Sequence, residues 1–498
     1  METTTTTATS STKPRPPWYH RLNQTRGLLL ALVSMAQMLD IINVASVTIA
    51  LPLIMKDVGF SFDQLQWVTS AYALAYGAFL LVGGRFGDLF GHRRIYIMGV
   101  TWFSIWAIVN GFAKDPVVMA VGRALQGMGA GFTVPSALAM LTTTYPVGRE
   151  RNFALAVFGG SGAAGSVIGV LLGGIFSSTI AMLGAILVIL GFIIIPASKG
   201  ESTVSDRRID YLGICSFCAG IVCIIFYLTE SPASGWASAK TLAPFIVGLV
   251  LLIAFIFIEY RIDYPIMPLH IWRSQRLVAS CLIIVCVSAG LNAIVYFSSM
   301  LFQNVHGYTP LRTSLNYIVH GVGGVFANIL FTKVLTKVRS KIVMVIGWLF
   351  FIASGIVFAQ VKADSSYWSY PFGALLLNCM GMAPVWLCCQ INSVADANDE
   401  NQGVVGAVYI VAQQLGTPIG IAIANIAANS KNSISSIGAE LLPGYRASFY
   451  AVTGIAGAGL VFTVLVACNT DPVKSEESEL VEDGGSNATV AGDEEKQY

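Results

Sequence analysis

Charge is what this chain has least of. Only 11% of its 498 residues are Asp, Glu, Lys or Arg, while 55% are hydrophobic; soluble domains carry roughly 25% charged residues. So little polar surface cannot cover so much apolar mass in water, which excludes an ordinary soluble protein. The 29 Lys/Arg and 27 Asp/Glu leave a net charge of +2. With no basic cluster interleaved with exposed aromatics, a nucleic-acid partner is excluded as well. Histidine is scarce, at five residues, and neither an HExxH nor a GxSxG motif occurs, so no metal centre, cofactor or enzymatic chemistry is expected. A GxxxxGK[ST] loop is also missing, and the polar stretches are too short for a nucleotide-binding domain, so ATP is not the energy source. The nine cysteines, from Cys215 to Cys468, all lie in apolar segments, which argues against an extracellular disulfide framework; the CxxC at Cys215 and Cys218 reads as span filler. Residues 1–26 are Thr/Ser-rich and then basic, without the apolar core and cleavage site of a signal peptide.

What the chain does have is long apolar runs. A bilayer span needs about 20 such residues, and fourteen candidates satisfy that length: 27–54, 65–84, 95–113, 116–145, 153–176, 179–197, 211–228, 242–259, 277–302, 313–331, 342–360, 370–391, 404–427 and 449–467. With a cytosolic N-terminus, the inside segments hold 21 Lys/Arg and the outside segments seven, the asymmetry of the positive-inside rule. Both termini are then cytosolic, the acidic tail 469–498 reads as disordered, and the sequons at Asn23 and Asn487 stay unglycosylated. Only a few residues around Ser177 and Ser178 separate the fifth and sixth runs. Fusing those runs gives thirteen spans and puts the termini on opposite sides.

Charges deep in a span are costly, so those that persist are functional candidates. Here they are Asp40 and Arg123. Ser34, Gln37, Asp40 and Asn43 recur every third residue, a polar stripe along one side of the first span. Desolvation and a nearby cation act on a buried carboxylate in opposite senses, which suits Asp40 to load and release protons; the alternative is a permanently hydrogen-bonded carboxylate that fixes helix packing. Arg123, with Gln126 on the same face, supplies a fixed positive charge, unless it snorkels to the outer interface. Gly127 with Gly131, and Gly165 with Gly169 and Gly173, form small-residue rows that allow close helix approach. The segment Gly160-Ser-Gly-Ala-Ala-Gly165 matches GxGxxG but sits in a span with no preceding strand, so dinucleotide binding is not expected.

Several motifs point to one family. Gly84-Arg-Phe-Gly-Asp88-Leu-Phe-Gly91-His-Arg93-Arg94, between the second and third spans, resembles the signature loop of the major facilitator superfamily. Arg123-Ala-Leu-Gln126-Gly127 resembles that superfamily's Arg-Gln-Gly motif. Leu39-Asp40-Ile-Ile-Asn43 with Ala50-Leu51-Pro52, Gln66-Trp67-Val-Thr-Ser-Ala-Tyr72, and Gln413-Gln414-Leu-Gly416 are similar to the fourteen-span drug:proton antiporters, in particular the fungal branch that includes aminotriazole- and boron-resistance pumps. The chain departs from that family in having Val170 where its antiporter motif has proline, and in lacking a Trp-Arg-Trp connection after the fifth span.

The resemblance implies an all-α polytopic membrane protein of the major facilitator fold with 14 transmembrane helices. Residues 27–197 and 277–468 would form two six-helix bundles, and 198–276 a linker with two extra central helices. It implies proton coupling through Asp40 and Arg123, with gating at Gly84, Asp88, Gly91, Arg93 and Arg94. Facilitator folds rock two bundles about a midplane cavity. Candidates to line it are Gln37, Asn43, Gln126 and Asn292, together with Tyr296, Asn378, Trp386, Gln390 and Gln413. Lipid-facing or packing roles are open for Tyr296 and Trp386. Partners are then a small molecule, protons and the bilayer. The expected activity is proton-coupled export of a drug, toxicant or secondary metabolite by a monomer in the plasma membrane. The rivals are uptake or vacuolar sequestration of a small polar solute, such as an amino acid or a borate-like ion, and a non-transporting receptor.

Overall fold

Inside hydrocarbon a backbone amide finds no water, so a spanning segment satisfies its polar groups within its own helix. The computed structural model describes residues 17–145, 149–173, 210–262, 265–335, 337–397, 402–431 and 438–467. Among these described residues the regular structure is helical throughout, without a strand. The long helices are α1 (Pro17–Val58), α2 (Trp67–Phe90), α3 (His92–Gly111), α4 (Pro116–Thr144), α5 (Arg149–Gly173), α6 (Tyr211–Ser234), α7 (Ala239–Arg261), α8 (Gln275–Met300), α9 (Ile318–Leu335), α10 (Ser340–Ala359), α11 (Pro371–Val394), α12 (Gln402–Asn429) and α13 (Leu442–Val466).

Eleven of the described helical segments are long and apolar enough to cross a membrane. Helices α3 and α5 are not among those eleven, although they stand where the third and fifth spans are expected. The sixth expected span, 179–197, lies outside the described residues, as do Cys468 and the tail.

Helix starts follow local chemistry. Asp115 caps α4 by accepting from the Val117 and Val118 amides at 2.8 and 3.1 Å, with Pro116 in the first turn, so orphan donors are met and proline's missing N–H costs nothing. Asp210, Ser238 and Ser274 cap α6, α7 and α8 in the same way. Helices run past the apolar boundaries because intrahelical hydrogen bonding does not stop where hydropathy does.

Small residues set the pairing. A Cβ on Gly165 or Gly169 of α5 would lie 3.2 Å from the Met38 Cα and 2.7 Å from the Ile42 Cα of α1, and Ser46 Oγ donates to the Gly169 carbonyl at 2.8 Å. Gly127 and Gly131 of α4 abut α2: a Cβ on Gly127 would run into the Tyr72 backbone carbonyl, and one on Gly131 would lie 3.1 Å from the Phe79 carbonyl carbon. Gly173 ends α5. Later in the chain, Gly381 of α11 meets the Phe351 backbone of α10, and Gly420 of α12 meets the Ala289 backbone of α8. The GxGxxG segment lies inside continuous helix α5, with no loop to cradle a phosphate. Eight free cysteines stand among the described residues, and Cys218 Sγ donates to the Ala78 carbonyl at 3.2 Å.

The first helices meet the last along α2 and α12, where a Cβ on Gly77 would be 3.2 Å from the Gln414 Cβ. Helix α6 packs on α7 and also reaches α2 and α12. At the Val58 end, Gln66 donates to the Thr229 carbonyl of α6 and accepts from Asn425 Nδ2 of α12 at 2.7 Å. Gln66, Thr229 and Asn425 are all almost fully buried. Nearby, Trp67 Nε1 donates to Glu230 at 3.2 Å, Lys240 pairs with Glu230 at 2.8 Å, and Gln303 Nε2 donates to the Ile49 carbonyl at 3.0 Å.

Candidate functional site

The polar stripe of α1 is buried: Ser34, Asp40 and Asn43 are each less than a tenth exposed. The three-residue spacing turns these side chains toward α2, α4 and α5 instead of lipid. Asp40 accepts a hydrogen bond from the Tyr72 hydroxyl of α2. Arg123 enters from α4 and is only 2% exposed. Its Nε donates to the Val68 carbonyl at 3.0 Å, and its Nη1 donates to Asn43 Oδ1 at 2.5 Å and Gln126 Oε1 at 2.7 Å. The guanidinium carbon stands 4.4 Å above the centre of the Tyr72 ring, close enough for a cation–π attraction. Asn110 of α3 closes the outer side by donating to Gln126 Oε1 at 3.1 Å.

Four helices thus converge on one network. Asp40 and Arg123 are joined through Tyr72, whose hydroxyl serves the anion and whose face serves the cation. This burial excludes the snorkelling alternative for Arg123, whose guanidinium is held by protein groups. Ser34 Oγ and Gln37 Oε1 are buried beside the network without a partner among the described residues, and a Cβ on Gly162 of α5 would come 3.9 Å from Gln37 Nε2.

The structure brings Asp40, Asn43, Arg123 and Gln126 together. The candidates from later helices do not join them. Asn292 folds back on its own helix, donating to the Ser288 carbonyl at 2.9 Å. Tyr296 is fully buried with its ring 5.1 Å from that of Phe297. Asn378 is fully buried and neither amide atom has a partner among the described residues. Trp386 and Gln413 are half-buried, and Gln390 is exposed near the end of α11. Sequence reasoning gave Tyr72 no role in linking the charges, and missed Asn110 altogether. An aromatic or an amide in a span carries no signal of its own until the fold supplies its neighbour.

The gating segment is helix, turn and helix, not a loop. Gly84 and Asp88 belong to α2, Arg93 and Arg94 to the first turn of α3, and Gly91 alone separates the two. Asp88 pairs with His92 across this junction at 3.3 Å. Gly91 has φ of +92° and ψ of 126°, a conformation essentially reserved for glycine. Gly91→Ala is therefore expected to cost about 1–3 kcal/mol. Gly84→Ala is expected to be neutral, because its Cβ would meet Pro135 Cβ only at 3.8 Å. Thermal unfolding of the two purified variants checks the contrast.

Against known proteins, the sequence pattern of the Major Facilitator Superfamily matches residues 33–421. The chain belongs to the Major Facilitator Superfamily. Among superfamily relatives, the low affinity ammonium transporter of Saccharomyces cerevisiae is 27% identical over 430 residues, covering 82% of this chain and 81% of that protein. The multidrug transporter mfsC of Aspergillus fumigatus is 27% identical over 452 residues, 88% of this chain and 86% of that one. The crystal structure of the POT family transporter PepTSo matches with a TM-score of 0.64 at 13% identity, over 91% of this chain and 97% of that one, a likeness of fold. As a superfamily member the chain is a multi-pass membrane transporter of small molecules, and not an enzyme.

Proposed function

We propose that this transporter exports a small organic molecule, a drug, toxicant or secondary metabolite, in exchange for protons by alternating access. It acts as a monomer with fourteen spans in the plasma membrane and with both termini cytosolic. The two moving bodies are 27–197 and 277–468, with 198–276 carrying the two extra helices. This reading places the chain in the fourteen-span antiporter family, near its aminotriazole- and boron-resistance branch.

The observation that carries the reading is the sealed Asp40–Tyr72–Arg123 network. A carboxylate buried in a span with a hydroxyl and a fixed cation as its surroundings has two states, charged and neutral, that ask different things of Tyr72. Protonating Asp40 removes the anionic acceptor and weakens its charge-assisted bond. That loosens the ring beneath Arg123, and with it the α1–α2–α4 contact. The substrate class rests on the multidrug relative and on cavity candidates with few charges, which suits moderately apolar ligands.

A second reading, uptake or sequestration of a small polar solute, is favoured by the ammonium-transporter relative. Proteoliposomes distinguish the two when offered a fluorescent drug panel and, separately, labelled methylammonium under opposite proton gradients. Export by antiport predicts drug accumulation into vesicles with an acidic lumen. Accumulation of methylammonium only with acid outside would establish uptake instead, and flux that ignores the gradient would refute coupling.

A further inference from the structure

At the Val58 end, away from the charge network, an open cleft of about 540 Å³ lies between the start of α9 and the loop that precedes α11. Its lining has one charged group, Arg312, and a run of rings, Tyr367, Trp368 and Phe372. The ring centres stand 5.3 Å apart for Tyr367 and Trp368, and 5.0 Å for Trp368 and Phe372. Trp368 is 72% exposed, so much of its ring is uncovered. Arg312 is held in place from beneath by the Tyr308 ring, 4.0 Å from its guanidinium carbon. Asn316 also lines the cleft, and its Nδ2 is buried with no partner among the described residues.

The cleft opens where a spanning segment begins, since Pro310–Leu335 is long and apolar enough to cross the bilayer. From its floor a stripe of exposed apolar side chains, Ile318, Val322, Val325 and Ile329, runs along α9 at helical spacing. Rings at that level are typical of the headgroup region. Three chemistries are therefore stacked along one path: a cation with a free amide donor, an aromatic group, and an apolar track one helix long.

We propose that this cleft binds one phosphatidylcholine molecule. Its phosphodiester meets Arg312 and Asn316, its quaternary ammonium rests on the Trp368 ring, and an acyl chain lies along Ile318, Val322 and Val325. Arg312 supplies phosphate attraction, aromatic faces take quaternary ammonium by cation–π contact, and no carboxylate lines the cleft to do that instead. The choline is what separates this ligand from an anionic phospholipid, which the arginine alone would hold equally well.

The full-length protein in nanodiscs of equimolar phosphatidylcholine and phosphatidylglycerol, released and weighed by native mass spectrometry, tests this. Wild type is expected to retain phosphatidylcholine over phosphatidylglycerol by about fivefold, in line with one favourable headgroup contact. Trp368→Ala should erase that preference, and Arg312→Gln should lower retention of both lipids about fivefold. Lys56→Gln, which removes a cation at the same end but outside the cleft, should change neither; it also controls for altered folding, together with unchanged gel-filtration profiles. Equal retention of the two lipids by wild type, or an undiminished choline preference in Trp368→Ala, would overturn the proposal.

Discussion

Replacing Asp40 by asparagine is expected to abolish gradient-driven accumulation, by at least about 100-fold, the lower end of what a positioned proton-transfer group contributes. Asparagine keeps the size of aspartate and an oxygen that can accept from the Tyr72 hydroxyl, so the packing of α1 on α2 survives. What it cannot do is take up and release a proton. Substrate exchange between two compartments at equal pH needs no proton transfer, so Asp40→Asn is expected to retain counterflow while losing accumulation. The pair of measurements separates a coupling role from a merely structural one. Loss of both activities in a well-folded variant would make Asp40 a packing residue, and full accumulation by Asp40→Asn would move coupling to another group.

Arg123→Ala is expected to cause the largest loss of stability of any single change in the first five helices, about 3–5 kcal/mol, the cost of removing one partner from a buried charged set. The loss has identifiable parts. The Val68 carbonyl and Asn43 Oδ1 each lose their arginine donor, Tyr72 loses the cation above its ring, and Asp40 is left without a compensating charge. Gln126 suffers least, because Asn110 still donates to it. Thermal unfolding in detergent reads the effect. Asp40→Asn combined with Arg123→Ala should be less damaging than the two losses added together, by roughly 0.5–3 kcal/mol, because groups in one network do not act independently. Strict additivity would mean that the two charges do not sense each other through Tyr72.

How much of this was legible in the sequence depends on what each residue is. Asp40 and Arg123 announce themselves, because a charge in an apolar run is costly and therefore rare. Asn43 and Gln126 follow from helical spacing around them. Tyr72 does not follow, since a tyrosine in a span is equally at home in lipid, at an interface or in a core; only the placement of α1 and α4 on either side of α2 gives its hydroxyl and ring separate tasks. The same limit applies to Asn292, whose amide turns back to Ser288 although its spacing suits a cavity wall. Helical class and most span positions were readable from hydropathy alone, while helix ends were not. Caps such as Asp115 and Asp210 act through one or two local hydrogen bonds that an averaged window cannot register. The three-way junction at Gln66 was invisible for a different reason, as its partners lie 163 and 359 residues away in the chain.

That junction bears on the tempo of transport. Because the Gln66 carboxamide is engaged on both sides by two separate helices, parting the Val58 end cannot proceed by gradual slackening: loss of one bond strands a buried polar group, which favours losing the other at once. Opening there is consequently switch-like, in keeping with interfaces that are bistable and not continuously deformable. Single-molecule traces of that end should show abrupt steps between two levels, with dwell times in the closed level shortened when Gln66→Ala removes both bonds.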